Sequence, residues 1–177
     1  AFHTAVWSGS EMIIWGGEVS SSSQTSSGGK YNPASNTWTA TSLANVPRSR
    51  LSHTAIWTGS EMIIWGGKYH YSYTYLCLNS GGKYNPNNDS WVSTSGSTNC
   101  PSERSGHSAI WSGTEMIIWG GMTCGDSYPC DGGIYIPSLD AWNPISTIDS
   151  PGQVNNHGCV WVDDLMIIWG YLGGVGD

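Results

Sequence analysis

Five cysteines and a regularly spaced series of histidines are the residues of this chain best suited to chemistry. The histidines His3, His53, His107 and His157 recur at intervals of 50, 54 and 50 residues. A ring of imidazoles could ligate a metal. Residues that start neighbouring strands, however, sit too far apart to share one ion at about 2 Å per bond. The expectation is hydrogen bonding from one repeat to the next, with no metal and no other cofactor. His157 and Cys159 place an imidazole and a thiol on one face of a strand, but Cys159 stands where Ala5, Ala55 and Ala109 stand in the other repeats. It reads as a buried free thiol rather than a nucleophile. Asp163 and Asp164 fill a hairpin turn, and Asp126 with Asp131 is too small a set of oxygens to define a calcium site. No catalytic residue is assigned.

The remaining cysteines point to a compartment. Cys124 and Cys130 bracket a seven-residue loop that a disulfide could pinch. Cys77 and Cys100 fall in two loops on one side of one repeat, and their pairing is expected if their Cα atoms lie within about 7 Å. No C-x-x-C spacing is present, so zinc is not implied. Two bridges and one buried thiol place the chain in an oxidising space, extracellular or periplasmic.

A second candidate is aromatic. Tyr69, Tyr71, Tyr73 and Tyr75 alternate with His70, Ser72 and Thr74. In one extended strand all four rings would share a face. Such a face suits a protein or glycan ligand, since tyrosine brings apolar area and a hydroxyl at low entropic cost; it could equally pack on a neighbouring loop. Tyr69, His70, Tyr71, Tyr73 and Tyr75, with Tyr128 of the cysteine loop, form the expected binding set.

These residues sit on a repeat. His3-Thr4-Ala5-Val6-Trp7 leads to Glu11-Met12-Ile13-Ile14-Trp15-Gly16-Gly17, and the phrase returns through Gly66-Gly67 and Gly120-Gly121, with a degraded copy from His157. A second phrase carries Tyr31 and Trp38, then Tyr84 and Trp91, then Tyr135 and Trp142, always with six residues between. Each unit reads as four short strands: one ending at Trp7, one over Met12 to Trp15, one around Tyr31 and one from near Trp38. No segment has a 3.6-residue apolar period, so no helix is assigned. Met-Ile-Ile-Trp lacks polar alternation, and a strand apolar on both sides must be covered on both faces. Sheets of about 50 residues stacked radially provide that cover, as in a β-propeller. All 11 tryptophans are repeat positions, which assigns them to packing.

The Gly pair after an apolar strand, with Tyr and Trp following at fixed spacing, resembles the kelch repeat. The runs from Pro47 to His53 and from Pro101 to His107 are similar to linkers between kelch blades. The last copy departs from the pattern, with Gly170-Tyr171 in place of the pair and Val154 in place of Arg50 and Arg104. The resemblance implies an all-β, single-domain propeller segment of about three and a half four-stranded antiparallel blades, over residues 1–50, 51–104, 105–155 and a partial 156–177. Ring closure takes roughly four to eight blades. The chain is therefore expected to be a piece of a longer polypeptide, or one of several copies in one ring.

Composition narrows the partners. With 6 Lys and Arg against 13 Asp and Glu, net charge −7, the chain offers no basic patch for nucleic acid. No run of 18 apolar residues spans a membrane as a helix. Strand order places the unlike loops, 18–27, 68–80 and 122–131, on one face. A constant frame with unlike loops is how binding sites are commonly built. The expected function is a non-catalytic extracellular module that binds a protein or glycan, or assembles a scaffold. The alternative is part of a carbohydrate-active or redox enzyme completed by further blades.

Overall fold

A computed structural model describes residues 1–20, 23–96 and 98–170. Tyr171 and the 173–177 segment, where a further strand was expected to start, lie outside them. Thr4–Trp7 (β1) turns back at Gly9 and Ser10 onto Met12–Trp15 (β2), with Thr4 opposite Trp15. Gly9 takes a φ of 99°, and the Glu11 amide donates to Ser8 Oγ at 2.9 Å. Such a two-residue turn matches the right-handed twist of the strands it joins. Glu18–Ser20 (β3) and Ser23–Gln24 (β4) form a small hairpin. Gly28–Asn32 (β5) then pairs with β2, and Thr37–Ala40 (β6) with β5. Between them Asn32 Oδ1 accepts the Ala34 amide at 2.9 Å and closes the turn.

The second unit repeats the plan with Thr54–Trp57 (β7), Met62–Trp65 (β8), the hairpin Lys68–Tyr71 (β9) and Thr74–Cys77 (β10), Gly81–Asn85 (β11) and Ser90–Ser93 (β12). The third has Ser108–Trp111 (β13), Met116–Trp119 (β14), Gly132–Ile136 (β15) and Ala141–Pro144 (β16). The fourth shows Gly158–Val162 (β17) paired with Leu165–Trp169 (β18). Three four-stranded antiparallel sheets and one two-stranded sheet thus follow one another, their innermost strands β1, β7, β13 and β17 in succession. The molecule is an all-β partial propeller. No helix among the described residues is long and apolar enough to cross a membrane.

The unbroken apolar strand is explained by two interfaces. Met62 and Ile64 pack with Ile13, Trp15, Tyr84 and Trp91 toward the first sheet. Ile63 and Trp65 pack with Ile56, Met116, Ile118, Tyr135 and Trp142 toward the third. All four residues of β8 are fully buried, and each such aliphatic or aromatic side chain contributes about 1.5–3 kcal/mol by leaving water. The Tyr–Trp pair fills the outer half of each interface, ring centroids 5.0 Å apart in Tyr84–Trp91 and 5.1 Å in Tyr135–Trp142. The end sheets lack this cover. Trp38 is 55% exposed where its counterpart Trp91 is 3%, and Trp7, Ile167 and Trp169 are also exposed.

Two of the three unlike loops contain strands of their own. Residues 18–27 and 68–80 each carry a hairpin, β3–β4 and β9–β10. The second differs from the single extended strand that the alternating tyrosines predict. Ser72 adopts a left-handed φ of 56° and reverses the chain, so Tyr75 lies opposite His70.

Candidate functional site: the loop face and its supports

The scaffold beneath the loops is built from residues that reach the next blade. The Thr4 hydroxyl meets His53 Nε2 at 2.8 Å, Thr54 meets His107 at 2.9 Å, and Ser108 meets His157 at 2.7 Å. In these three rings Nδ1 is buried with no partner, so the Nε2–hydroxyl bond is each ring's link to the preceding blade. Burial above all, with Arg50 beside one ring and Arg104 beside the other, pushes His53 and His107 each down to about 3. His53 and His107 are structural struts held neutral. Among the described residues no three His, Cys, Asp or Glu side chains gather to hold a metal.

His53, His107 and His157 each lie against the first glycine of the preceding pair. Gly66 has a φ of 67°, and a Cβ there would sit 2.5 Å from His107 Cε1. The pair therefore does more than end a strand: it leaves the space that the next blade's imidazole occupies.

Two arginines, read in sequence only as linker matches, anchor the loop ends. Arg50 is fully buried and donates through Nη1 to Gly66 O at 2.9 Å and Ser80 O at 2.6 Å. Burial, and secondarily Arg48, lowers it to about 10, so it remains a cation at neutral pH. Arg104 repeats the role on Gly120 O and Asp131 O, both 3.1 Å, and pairs with Asp131 Oδ1 at 2.7 Å. Val154 takes the position in the last unit and is buried. The signal available in sequence was an Arg three residues before two of the histidines.

Outer carboxylates also tie blade to blade. Asp89 accepts the Tyr84 hydroxyl at 2.6 Å and the Ser42 amide at 2.8 Å, and these two bonds hold its carboxyl below the usual range. For Asp140, burial works to raise the carboxyl, but Tyr135 and the Ser95 amide outweigh it, and the net shift is downward.

Over this frame the three loops join into one wall. The His70 amide donates to Gln24 Oε1 at 2.9 Å, linking the hairpins of the first two units. A disulfide between Cys77 and Cys124, Cα atoms 5.4 Å apart, links the second to the third. Neither bridge expected from sequence is formed: Cys77 does not pair with Cys100, nor Cys124 with Cys130. Cys77 sits on β10, beside the 122–131 loop of the following blade. Cys100 instead packs at the edge of the Trp65 cluster, where burial raises its thiol. Cys130 is exposed and free. The 122–131 loop is turned by its own backbone, Thr123 N to Ser127 O at 2.8 Å and Asp126 N to Thr123 O at 3.2 Å. Cys159 is a free, half-buried thiol.

The disulfide closes a separation of 47 residues, worth about 4 kcal/mol from lost denatured-state entropy. Reduction, or paired Cys77→Ser and Cys124→Ser substitutions, is expected to lower the urea midpoint accordingly. Cys130→Ser should leave it in place. An unchanged midpoint on reduction would show that the bridge does not constrain the unfolded chain.

The tyrosines divide between surfaces. Tyr69 and Tyr71 alternate on β9, their centroids 6.4 Å apart and planes 77° apart. Arg48 lies 3.7 Å from the Tyr69 centroid, which ties that ring to the linker. Tyr75 packs on His70 at 5.3 Å, with Lys68 Nζ 4.7 Å from its ring. Tyr73, at the hairpin tip, is wholly exposed, and Tyr71 is exposed beside it. Tyr128 is half-buried in the third loop. The six expected binding residues therefore share one loop face but make no single aromatic stripe.

The match to known families falls on this whole frame. The KLHDC2/KLHL20/DRC7 Kelch-repeats domain model matches residues 2–176. The chain belongs to the kelch-repeat family. No curated protein matches it. In the kelch frame, the histidines, glycine pairs and Tyr–Trp pairs are spent on packing, which leaves the three unlike loops as the surface particular to this chain.

Proposed function

We propose that this kelch segment is a non-catalytic module that binds a protein partner through the joined loops of one face, in an oxidising space outside the cytoplasm. One observation carries the reading. The segments that differ between repeats are fastened to one another by Gln24–His70 and Cys77–Cys124 and present Tyr71 and Tyr73 to solvent. Rigid, exposed tyrosines on a braced hairpin make good anchors, since little conformational freedom is lost on binding. A protein is favoured over a glycan because Tyr69 and Tyr71 meet nearly at right angles and form no flat platform for a sugar ring. The Cys77–Cys124 bridge supports the compartment.

Tyr71→Ala with Tyr73→Ala is expected to weaken capture of the partner from an extracellular fraction at least tenfold, as for interface hot spots, with the melting transition unchanged. A glycan array serves as the competing arm. Capture indifferent to both substitutions would remove the loop face as the binding surface.

The exposed Trp7, Trp38 and Trp169 favour a second, compatible role in assembly: further repeat units or another copy cover the end sheets. Native mass spectrometry reads this directly, and a stable 19.0 kDa monomer would argue against coverage by another copy.

A further inference from the structure

We infer that the groove between the third and fourth sheets binds a β-hairpin of a partner chain, recognised by a tyrosine, an aspartate five residues later and a tryptophan two residues after that. The inference goes beyond the loop face. It rests on the assembly role above, to which it gives a site and a ligand.

The groove, about 390 Å³, is lined by Ile117, Trp119 and Ile134 of the third unit and by Met166 and Ile168 of the fourth. The same space is filled at the two earlier interfaces. Tyr84 and Trp91 pack there against Ile13 and Trp15, and Tyr135 and Trp142 against Ile63 and Trp65. Met62, Ile64, Met116 and Ile118 are fully buried in consequence. Their counterparts Met166 and Ile168 are only half-buried.

The other contacts of such a hairpin also stand open. Ser42 and Ser95 each follow the tryptophan of their unit by four residues. Their amides donate to Asp89 at 2.8 Å and to Asp140 at 2.9 Å in the next unit's hairpin. Ser146 holds that position after Trp142 and lines the groove, and its amide has no hydrogen-bond partner among the described residues. Pro47 and Pro101 pack on Gly82 and Gly133 so closely that neither glycine could carry a side chain. Their counterpart Pro151 lines the groove instead. The strands β2, β8 and β14 each pair with a third strand, whereas β18 pairs only with β17 among the described residues. Ser8 N donates to Glu11 O at the first hairpin turn, and Val162 and Leu165 hold the same places in the fourth unit. Antiparallel ladders alternate bonded and non-bonded pairs. Met166 and Ile168 therefore turn their N–H and C=O groups away from β17.

The ligand is a self-contained unit. Within β11–β12 the Tyr84 hydroxyl donates to Asp89 at 2.6 Å, the Tyr84 and Trp91 rings lie 5.0 Å apart, and Asn85 Oδ1 accepts the Asn87 amide at 2.9 Å. All of these contacts are internal to the hairpin, so recognition needs no covalent link to β18. Main-chain bonds to Met166 and Ile168 would supply affinity, and the aromatic seat with the Ser146 amide would supply selectivity. Ile134 stands where Lys30 and Lys83 stand in the earlier units, and Asp164 also lines the groove. A hairpin whose one carboxylate goes to Ser146 therefore fits better than a more acidic one.

The test uses the intact 177-residue chain and a capped peptide of its own sequence 81–93, which carries Tyr84, Asp89 and Trp91. Amide exchange is followed residue by residue. The Met166 and Ile168 amides should exchange freely alone and slow at least tenfold with peptide, while Leu165 and Ile167 change less. Tyr84→Ala and Trp91→Ala peptides should bind at least tenfold more weakly. Ser146→Pro in the protein removes the amide. It should weaken the parent peptide two- to tenfold and leave the affinity of the Asp89→Ala peptide unchanged, whereas a general disturbance of the fold would weaken both. No protection at β18, protection centred elsewhere, or equal binding of peptides lacking Tyr or Trp would overturn the proposal. So would protection of the same two amides without peptide: in dilute chain it would assign the groove to the chain's own residues, and growing with protein concentration it would assign it to a second copy. If no peptide binds while native mass spectrometry still finds the end sheets covered, the assembly role stands and only the hairpin site is lost.

Discussion

Between pH 6.5 and pH 4 the protein is expected to lose its fold, because two buried imidazoles refuse protons that the unfolded chain accepts. His53 and His107 are each depressed to about 3 in the folded state, against about 6.5 when unfolded. In that window the unfolded state binds more protons, so stability falls as pH falls. The loss is about 1.4 kcal/mol per pH unit per ring, which makes about 5 kcal/mol for the pair near pH 4.5. That is comparable with the whole stability of a typical domain, about 5–15 kcal/mol. Asp89 and Asp140 act in the same direction at lower pH, since depressed carboxyls lose their contribution as pH drops through their folded values. Tryptophan fluorescence against pH should show unfolding above pH 4. A His53→Gln, His107→Gln chain should be less stable at pH 7 but lose stability more gradually on acidification. A wild-type chain still native at pH 3.5, or a double variant with an unaltered slope, would refute the assignment.

Gly66→Ala is expected to cost about 3–5 kcal/mol, combining a strained left-handed backbone with overpacking. The added Cβ would meet His107 Cε1 at 2.5 Å and the Arg104 carbonyl at 3.1 Å. Gly59→Ala separates the two causes: its φ is 102°, but nothing lies within 4 Å of the added atom. That control should cost only about 1 kcal/mol. Equal losses in urea titrations of the two variants would mean that backbone strain alone matters and that the imidazole does not depend on the vacant space.

The frame was legible because its strongest signal is physical. Met62-Ile63-Ile64-Trp65 has no polar residue to turn toward water, and the structure buries both faces of that strand between neighbours. The loop face was less legible for equally physical reasons. Alternating tyrosines from Tyr69 to Tyr75 carry the period of one strand, and no Gly or Asn marks the reversal that Ser72 makes. The Cys77–Cys124 bridge joins adjacent blades, so its geometry depends on how two hairpins lean together, which spacing along the chain does not encode. The positions before the histidines were hidden too. Phe2, Ser52, Gly106 and Asn156 all adopt left-handed φ between 50° and 65°, though only one is glycine.

Those four positions also link in a line: Ser52 N donates to Phe2 O, Gly106 N to Ser52 O and Asn156 N to Gly106 O. Every joint in this line gives from its later member to its earlier one, and a second line beside it runs the other way, from Gly17 N to Arg50 O, Gly67 N to Arg104 O and Gly121 N to Val154 O. The stack therefore has a grammar of direction. A unit could be duplicated or excised in register and the seam would still read correctly, but a unit turned end for end would set donor against donor.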